Sequence, residues 1–430
     1  MKNKILRLNL EEFLFLLGFI FLFYSRILVS VFNFPSIINF LHYAFFFFVF
    51  LIECFTSPKR KSFFFFFISL ALLCLISAFV NNVSLINSFL EFLLLGEFYF
   101  AISFIESKPS KAFRLCLKEA LEFSFLINLI FVFIQYFFLG CRTDFVQGIF
   151  LGMGAGAHIC GSFNILAIIY YLFEIRRKPQ SKVLYILLST LNLISLLFCD
   201  NKQSLFAALF CVLILFICNL IKKHNTVHLK FALLFVIVII CYYFIMKFFY
   251  PIGLGWLNES YLLNGIRAKF KVFSYLDLDG IQFLIGKGPG LSIGRLAQML
   301  PDYPFLLSIG AQSSSIYSKI WGIQQGYWIT NNKTGSSFFS LFFSFAGIFG
   351  DLGFLGLVFF FSTYFYILKR ISKTRLSKFT ILFYIIHGFI FLWLEEPNFS
   401  IACVCVLYFI NKEDYIHQIV HDPVFIKRIV

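Results

Sequence analysis

The residues best suited to chemistry lie in one stretch of the chain. In IRAKFKVFSYL, Arg267 and Lys271 are four residues apart and share one face of a short helix. Like charges on adjacent turns repel, so either water solvates them or an anion lies between them. Further on, LIGKGPGLSIGRL alternates Gly286, Gly288 and Gly290 around Pro289, with Lys287 and Arg295 flanking the turn. Glycine lets backbone N–H groups approach an anion closely; a stiff turn is the plainer use of the same residues. No strand-and-helix unit is expected around these glycines, which argues against a nucleotide fold. The 11 Cys stand singly or in the one pair Cys403 and Cys405, without CxxC or a metal-type His spacing. Neither a metal nor a cofactor is expected. For Cys141 and Cys160, a disulfide is one reading and free thiols the other.

The elements that position these residues are set by an apolar solvent. Of the 430 residues 60% are hydrophobic and only 13% charged, with 67 Phe, whereas a soluble domain carries about 25% charged residues. A soluble globular enzyme is excluded, and the expected fold is all-α: a polytopic helical membrane protein of about 12 transmembrane helices, each an apolar run of about 20 residues. The runs are Phe13 to Phe32, Ser36 to Thr56, Ser62 to Val80, Val83 to Ile105, Glu119 to Leu139, Ala157 to Ile175, Val183 to Phe198, Ser204 to Ile221, Phe231 to Phe249, Gly350 to Leu368, Thr380 to Leu394 and Phe399 to Ile410. The last is short enough to be re-entrant. Three parts follow: residues 1–249 with helices 1–9, a large loop over 250–335, and residues 336–430 with helices 10–12 and a tail.

The net charge of +15 would suggest nucleic acid in a soluble protein. Here membrane topology accounts for it, and no nucleic-acid partner is expected. With the amino terminus in the cytoplasm, 25 of the 36 Lys and Arg fall on the inner side, and every short loop obeys the positive-inside rule. The loop over 250–335 is then periplasmic and too long to be a mere connection, so chemistry is expected there. Within the spans, Arg26 and Glu91 lie at matched depths and are expected to pair. Glu97 is deeper and has no evident partner, while His387 and Glu53 read as buried, hydrogen-bonded or interfacial groups.

The order of features resembles the superfamily of Wzy-type O-antigen polymerases and O-antigen ligases, membrane glycosyltransferases of the bacterial envelope. In that family a periplasmic loop carries an Arg-led helix, a GxGxG turn and then an ELGxxG-like start of the next helix. The matching pieces are Arg267, Gly286 to Gly290, and Ser336 and Ser337 followed by Gly350, Asp351, Leu352, Gly353, Phe354, Leu355 and Gly356. Upstream, CDNKQSLFAALF is similar to the family's SRG-type helix start, with Lys202 where Arg is usual, and HICGSFNILA to its GxFxxPN segment through Gly161, Phe163 and Asn164. The resemblance spans about half the chain. Two departures matter. The His that the ligase branch carries before the ELGxxG-like start is missing, which favours the polymerase branch, and Lys202 lacks the bidentate fork of Arg.

The resemblance implies inverting, metal-independent transfer of an oligosaccharide from undecaprenyl diphosphate to a sugar hydroxyl on a second carrier, at the periplasmic face of the inner membrane. Arg267 and Asp351 would be catalytic, with Asp302 and His158 as other bases. Lys202, Lys271, Lys287, Arg295, Gly286, Gly288 and Gly290 would bind the diphosphate. Membrane lipid and a chain-length regulator protein are the further partners implied. The alternatives are an O-antigen ligase and a lipid-linked oligosaccharide flippase or transporter; a transporter usually shows paired halves, and no internal repeat is visible.

Overall fold

A computed structural model of the chain describes residues 8–56, 61–106, 109–151, 156–223, 259–330 and 340–421. The expected span Phe231 to Phe249, the pair Ser336 and Ser337, and both ends of the large loop lie outside the described residues. Among the described residues every regular element is helical, and the protein is an all-α polytopic membrane protein. The first half comprises α1 (Leu10–Phe32), a 3-10 turn (Ser36–Phe40) leading into α2 (Leu41–Thr56), α3 (Lys61–Val80), α4 (Leu85–Glu106), α5 (Lys111–Phe133), α6 (Gly156–Arg177), α7 (Lys182–Phe198) and α8 (Lys202–Lys223). These bounds track the apolar runs to within a turn, because in lipid a backbone can satisfy its N–H and C=O groups only within a helix or a closed barrel. The exception is α5, which begins eight residues early and passes at its end into a π-helical segment, Ile134–Phe138. Seven described helical segments are long and apolar enough to cross a membrane, and three more are shorter apolar helices.

Polar residues punctuate the helices where capping requires them. The Asn9 N–H donates to the Glu12 carboxylate at the start of α1. Helix α5, which begins on the same side, is capped by Ser110, which accepts from the Phe113 N–H and itself donates through Oγ to Glu12. One buried carboxylate thus pins two helix starts together.

The large loop folds into short helices: α9 (Glu259–Phe270), α10 (Val272–Tyr275), α11 (Ile281–Ile285), α12 (Arg295–Met299), α13 (Pro304–Ser308) and α14 (Ser315–Thr330). The expected helix around Arg267 is α9 with α10. The chain then returns through α15 (Ser344–Arg370), α16 (Arg375–Ile390), a 3-10 turn (Trp393–Glu395) and α17 (Pro397–His421). The twelfth apolar run is therefore the first part of a helix. It is short because lipid does not solvate it: every residue from Pro397 to Ile410 is buried, and α17 packs against α1, α4, α6 and α16. Helices α4 and α6 share this centre, with 89% and 83% of their most apolar stretches buried, against 22% for the peripheral segment that ends in α7.

Helix α15 begins six residues before the expected Gly350 and bends at Gly353, where φ is 67°. The early turns, Ser344 to Leu352, are buried in protein, and apolar side chains meet lipid only from Phe354 onward.

Candidate functional site

A cavity of about 1170 Å³ opens on the face that carries the loop helices. Its walls come from α1, the 3-10 turn and first residues of α2, the loop helices α12 and α14, and the residues that lead into α17. On its wall lie two guanidinium groups. Arg26 stands about 9 Å along α1 from its loop-side end, at 1.5 Å per residue. Its Nη2 is 3.7 Å from Glu396 Oε1, while Arg295 Nη2 is 2.9 Å from Oε2 of the same carboxylate. Arg295 also donates from Nη1 to Gln298 Oε1 at 2.8 Å. Two cations thus share one anion on this wall. Tyr303, Tyr317 and Trp321 line the cavity as well, and the exposed carboxylates Asp144 and Asp302 stand at its edge. A positive wall suits phosphate; aromatic rings with acidic acceptors suit a hydroxylated glycan.

The joint between the loop and α15 delivers Arg295 to this cavity. The Lys287 N–H donates to the Gly350 carbonyl at 2.7 Å and the Gly288 N–H to the Asp351 carbonyl at 3.2 Å. So close is the packing that a Cβ on Gly286 would lie 2.3 Å from the Asp351 carbonyl, and one on Gly353 2.3 Å from the backbone of Leu284. Past the turn, Asp351 Oδ1 accepts the Ser292 N–H at 2.9 Å and Glu395 accepts the Arg295 N–H. The two carboxylates hold the chain on either side of Gly294, where a Cβ would come within 2.3 Å of Asp351 Oδ2. Glu395 lies in the 3-10 turn outside the spans, and burial pushes its carboxyl up to about 8.

Comparison with protein-family models, with curated proteins and with solved structures gives no match. Function has to be argued from the site.

Of the residues singled out in the sequence, Arg295 lines the cavity, as do His158 and Asp302. Gly286, Gly288 and Gly290 form the buried turn against α15, with Lys287 half-buried among them, and Asp351 is fully buried in the same joint. Arg267 and Lys271 are exposed on α9 and just beyond it and are not among the residues that line the cavity. Lys202 is half-exposed at the start of α8, its Nζ 3.1 Å from Asp200. Gly161, Phe163 and Asn164 belong to the packing of α6: Asn164 accepts from Asn128 and donates to Ser195, both at 2.9 Å.

Two expectations are corrected. Arg26 pairs with Glu396 rather than Glu91, which lies in electrostatic reach of Asp351 and Glu395. Glu97 does have a partner: His42 Nδ1 lies 2.7 Å from its Oε1. Of the two readings for Cys141 and Cys160, free thiols is the one found, with Cys160 sulfur 3.5 Å from that of Cys199. His387 is buried and hydrogen-bonded as expected, to the Phe383 carbonyl and to Ser162 and Ser204.

The sequence also hid Lys269. It sits between Arg267 and Lys271 but on the other face of α9, buried, donating to the Ser340 and Ile390 carbonyls at 3.0 and 2.8 Å over the ring of Phe343. Burial holds its ammonium well below the ordinary lysine pKa. The available signal was the alternation of Arg267, Lys269 and Lys271, which on a helix cannot all share one face.

Proposed function

We propose that the protein is a membrane glycosyltransferase that joins undecaprenyl-diphosphate-linked oligosaccharide repeats into a surface polysaccharide, at the periplasmic face of a bacterial inner membrane. The observation that carries this reading is the pair of guanidiniums, Arg26 and Arg295, sharing Glu396 on the wall of a cavity lined by tyrosines and a tryptophan. Guanidinium forks match phosphate oxygens, and charge on the diphosphate grows as the glycosidic bond breaks, so the contact strengthens toward the transition state. The negative charge is stabilised by fixed cations without a metal. Arg267 and Lys271, exposed on the loop, draw the anionic headgroup toward the cavity. Asp351 and Glu395 act through Arg295, as positioning residues.

The test is deletion of the gene in its native host followed by examination of surface polysaccharide. Single-repeat product in place of long chains supports the polymerase. Long chains left on the lipid carrier would instead indicate a ligase, and repeats trapped on the cytoplasmic side a flippase. Purified protein should form polymer from lipid-linked repeats with EDTA present, and a strict Mg²⁺ requirement would overturn the metal-free mechanism.

A further inference from the structure

The cavity holds a second arrangement that the diphosphate site does not use. His42, in the first turn of α2, lines the cavity. Its Nδ1 is 2.7 Å from Oε1 of Glu97 on α4, and Glu97 is 1% exposed. With Glu97 ionised and the imidazole neutral, Glu97 accepts from Nδ1–H and the lone pair lies on Nε2. Nε2 makes no hydrogen bond to the described residues. The Tyr43 ring lies 4.0 Å from the imidazole and limits its rotation. Glu396, ahead of α17, lies in electrostatic reach of Glu97, and Tyr43 on α2 lies in reach of Glu97, Glu396, Arg295 on α12 and Arg26 on α1. Two of them are the cations assigned above to the diphosphate. A base thus stands in the same chamber as the leaving-group site.

We propose that His42 is the general base of glycosyl transfer and that Glu97 positions it. This rests on the glycosyltransferase reading and deepens it. The acceptor hydroxyl oxygen attacks the anomeric carbon of the donor glycan as the bond from that carbon to the diphosphate oxygen breaks. The electron pair leaves with the polyprenyl diphosphate, and the hydroxyl proton passes to His42 Nε2. The imidazolium formed is held by Glu97 and releases its proton to solvent before the next transfer.

The test uses full-length protein in lipid nanodiscs, with two readouts. Binding is measured with farnesyl diphosphate as the probe, through tryptophan fluorescence, and turnover with lipid-linked oligosaccharide extracted from the host's membranes. His42→Gln should lower turnover about 100-fold, the scale of a lost general base, with probe affinity within about twofold of wild type. It should also abolish the acidic limb of the pH–rate profile. Glu97→Gln should lower turnover about tenfold or more and shift that limb, and Glu97→Asp should recover part of the loss. His42→Gln turnover within about threefold of wild type, or an unchanged acidic limb, overturns the dyad while leaving the glycosyltransferase reading intact. Wild-type protein that neither binds the probe nor forms polymer overturns that reading and the dyad with it. Should His42→Gln fail to accumulate, the double replacement His42→Leu with Glu97→Leu removes both polar groups together and spares the unpaired buried charge; normal turnover in that variant also overturns the dyad.

Discussion

Arg295 shows how much of a site can depend on one side chain. It is held at three points: its backbone N–H by Glu395, and its guanidinium by Gln298 and Glu396. Arg295→Lys keeps the charge but loses the fork, and Arg295→Ala loses both. A charge-assisted hydrogen bond contributes about 1.5 to 3 kcal/mol, so the alanine variant should bind farnesyl diphosphate at least about tenfold more weakly, with the lysine variant between it and wild type. Equal affinity in all three would remove Arg295 from the anion site. Glu395 gives a pH signature. Its carboxyl stands at about 8 in the folded protein against an ordinary 4.5, so between those values the folded state holds more protons than the unfolded one. Stability therefore falls as pH rises through that window. Thermal midpoints measured in detergent from pH 5 to 8 should decline, and Glu395→Gln should flatten the decline. These partnerships were not legible in the sequence. Arg26 and Glu396 come from opposite ends of the chain, and matched depth along two helices could offer Glu91 as a partner but could not say which helices touch.

At the scale of elements, the joint between α11 and α15 converts a glycine pattern into a position for Arg295. Gly353 and Gly286 combine a positive φ with backbone from the opposite segment where a Cβ would go, whereas Gly140, at φ 68°, has open space. Alanine at Gly140 should cost only the left-handed strain, about 1 to 2 kcal/mol. Alanine at Gly353 should add an overpacking penalty of about 1 to 3 kcal/mol, lower the thermal midpoint further, and weaken probe binding by displacing Arg295. Equal thermal shifts in the two variants would mean that the joint yields. The spacing of the glycines was readable, and so was the helix that follows them. That the turn inserts into a bend of α15 was not, because the bend sits within a continuous apolar run and its cause is a tertiary contact.

For the whole molecule, the helices were legible because lipid imposes its demand on every span separately, through length and apolarity. Which face of the membrane the cavity opens to is written in the Lys and Arg distribution, which predicts that residues 259–330 face the periplasm. In a Cys-free background, Ser313→Cys in the loop should react with an impermeant thiol reagent on intact spheroplasts, and Gln180→Cys, between α6 and α7, only after permeabilisation. The reverse pattern would invert the topology and place the cavity away from lipid-linked glycans.

The burial of Pro397 to Ile410 bears on how the chain is assembled in time. A segment with two glutamates just ahead of it and an asparagine in its first turn is a poor candidate for release into lipid on its own. It is also made after the helices that enclose it. The groove between α1, α4, α6 and α16 must therefore stay open in the bilayer until this segment arrives. Since Glu396 arrives with it, Arg26 and Arg295 gain their shared counter-ion only once this segment is in place, and the cavity wall is finished by its insertion.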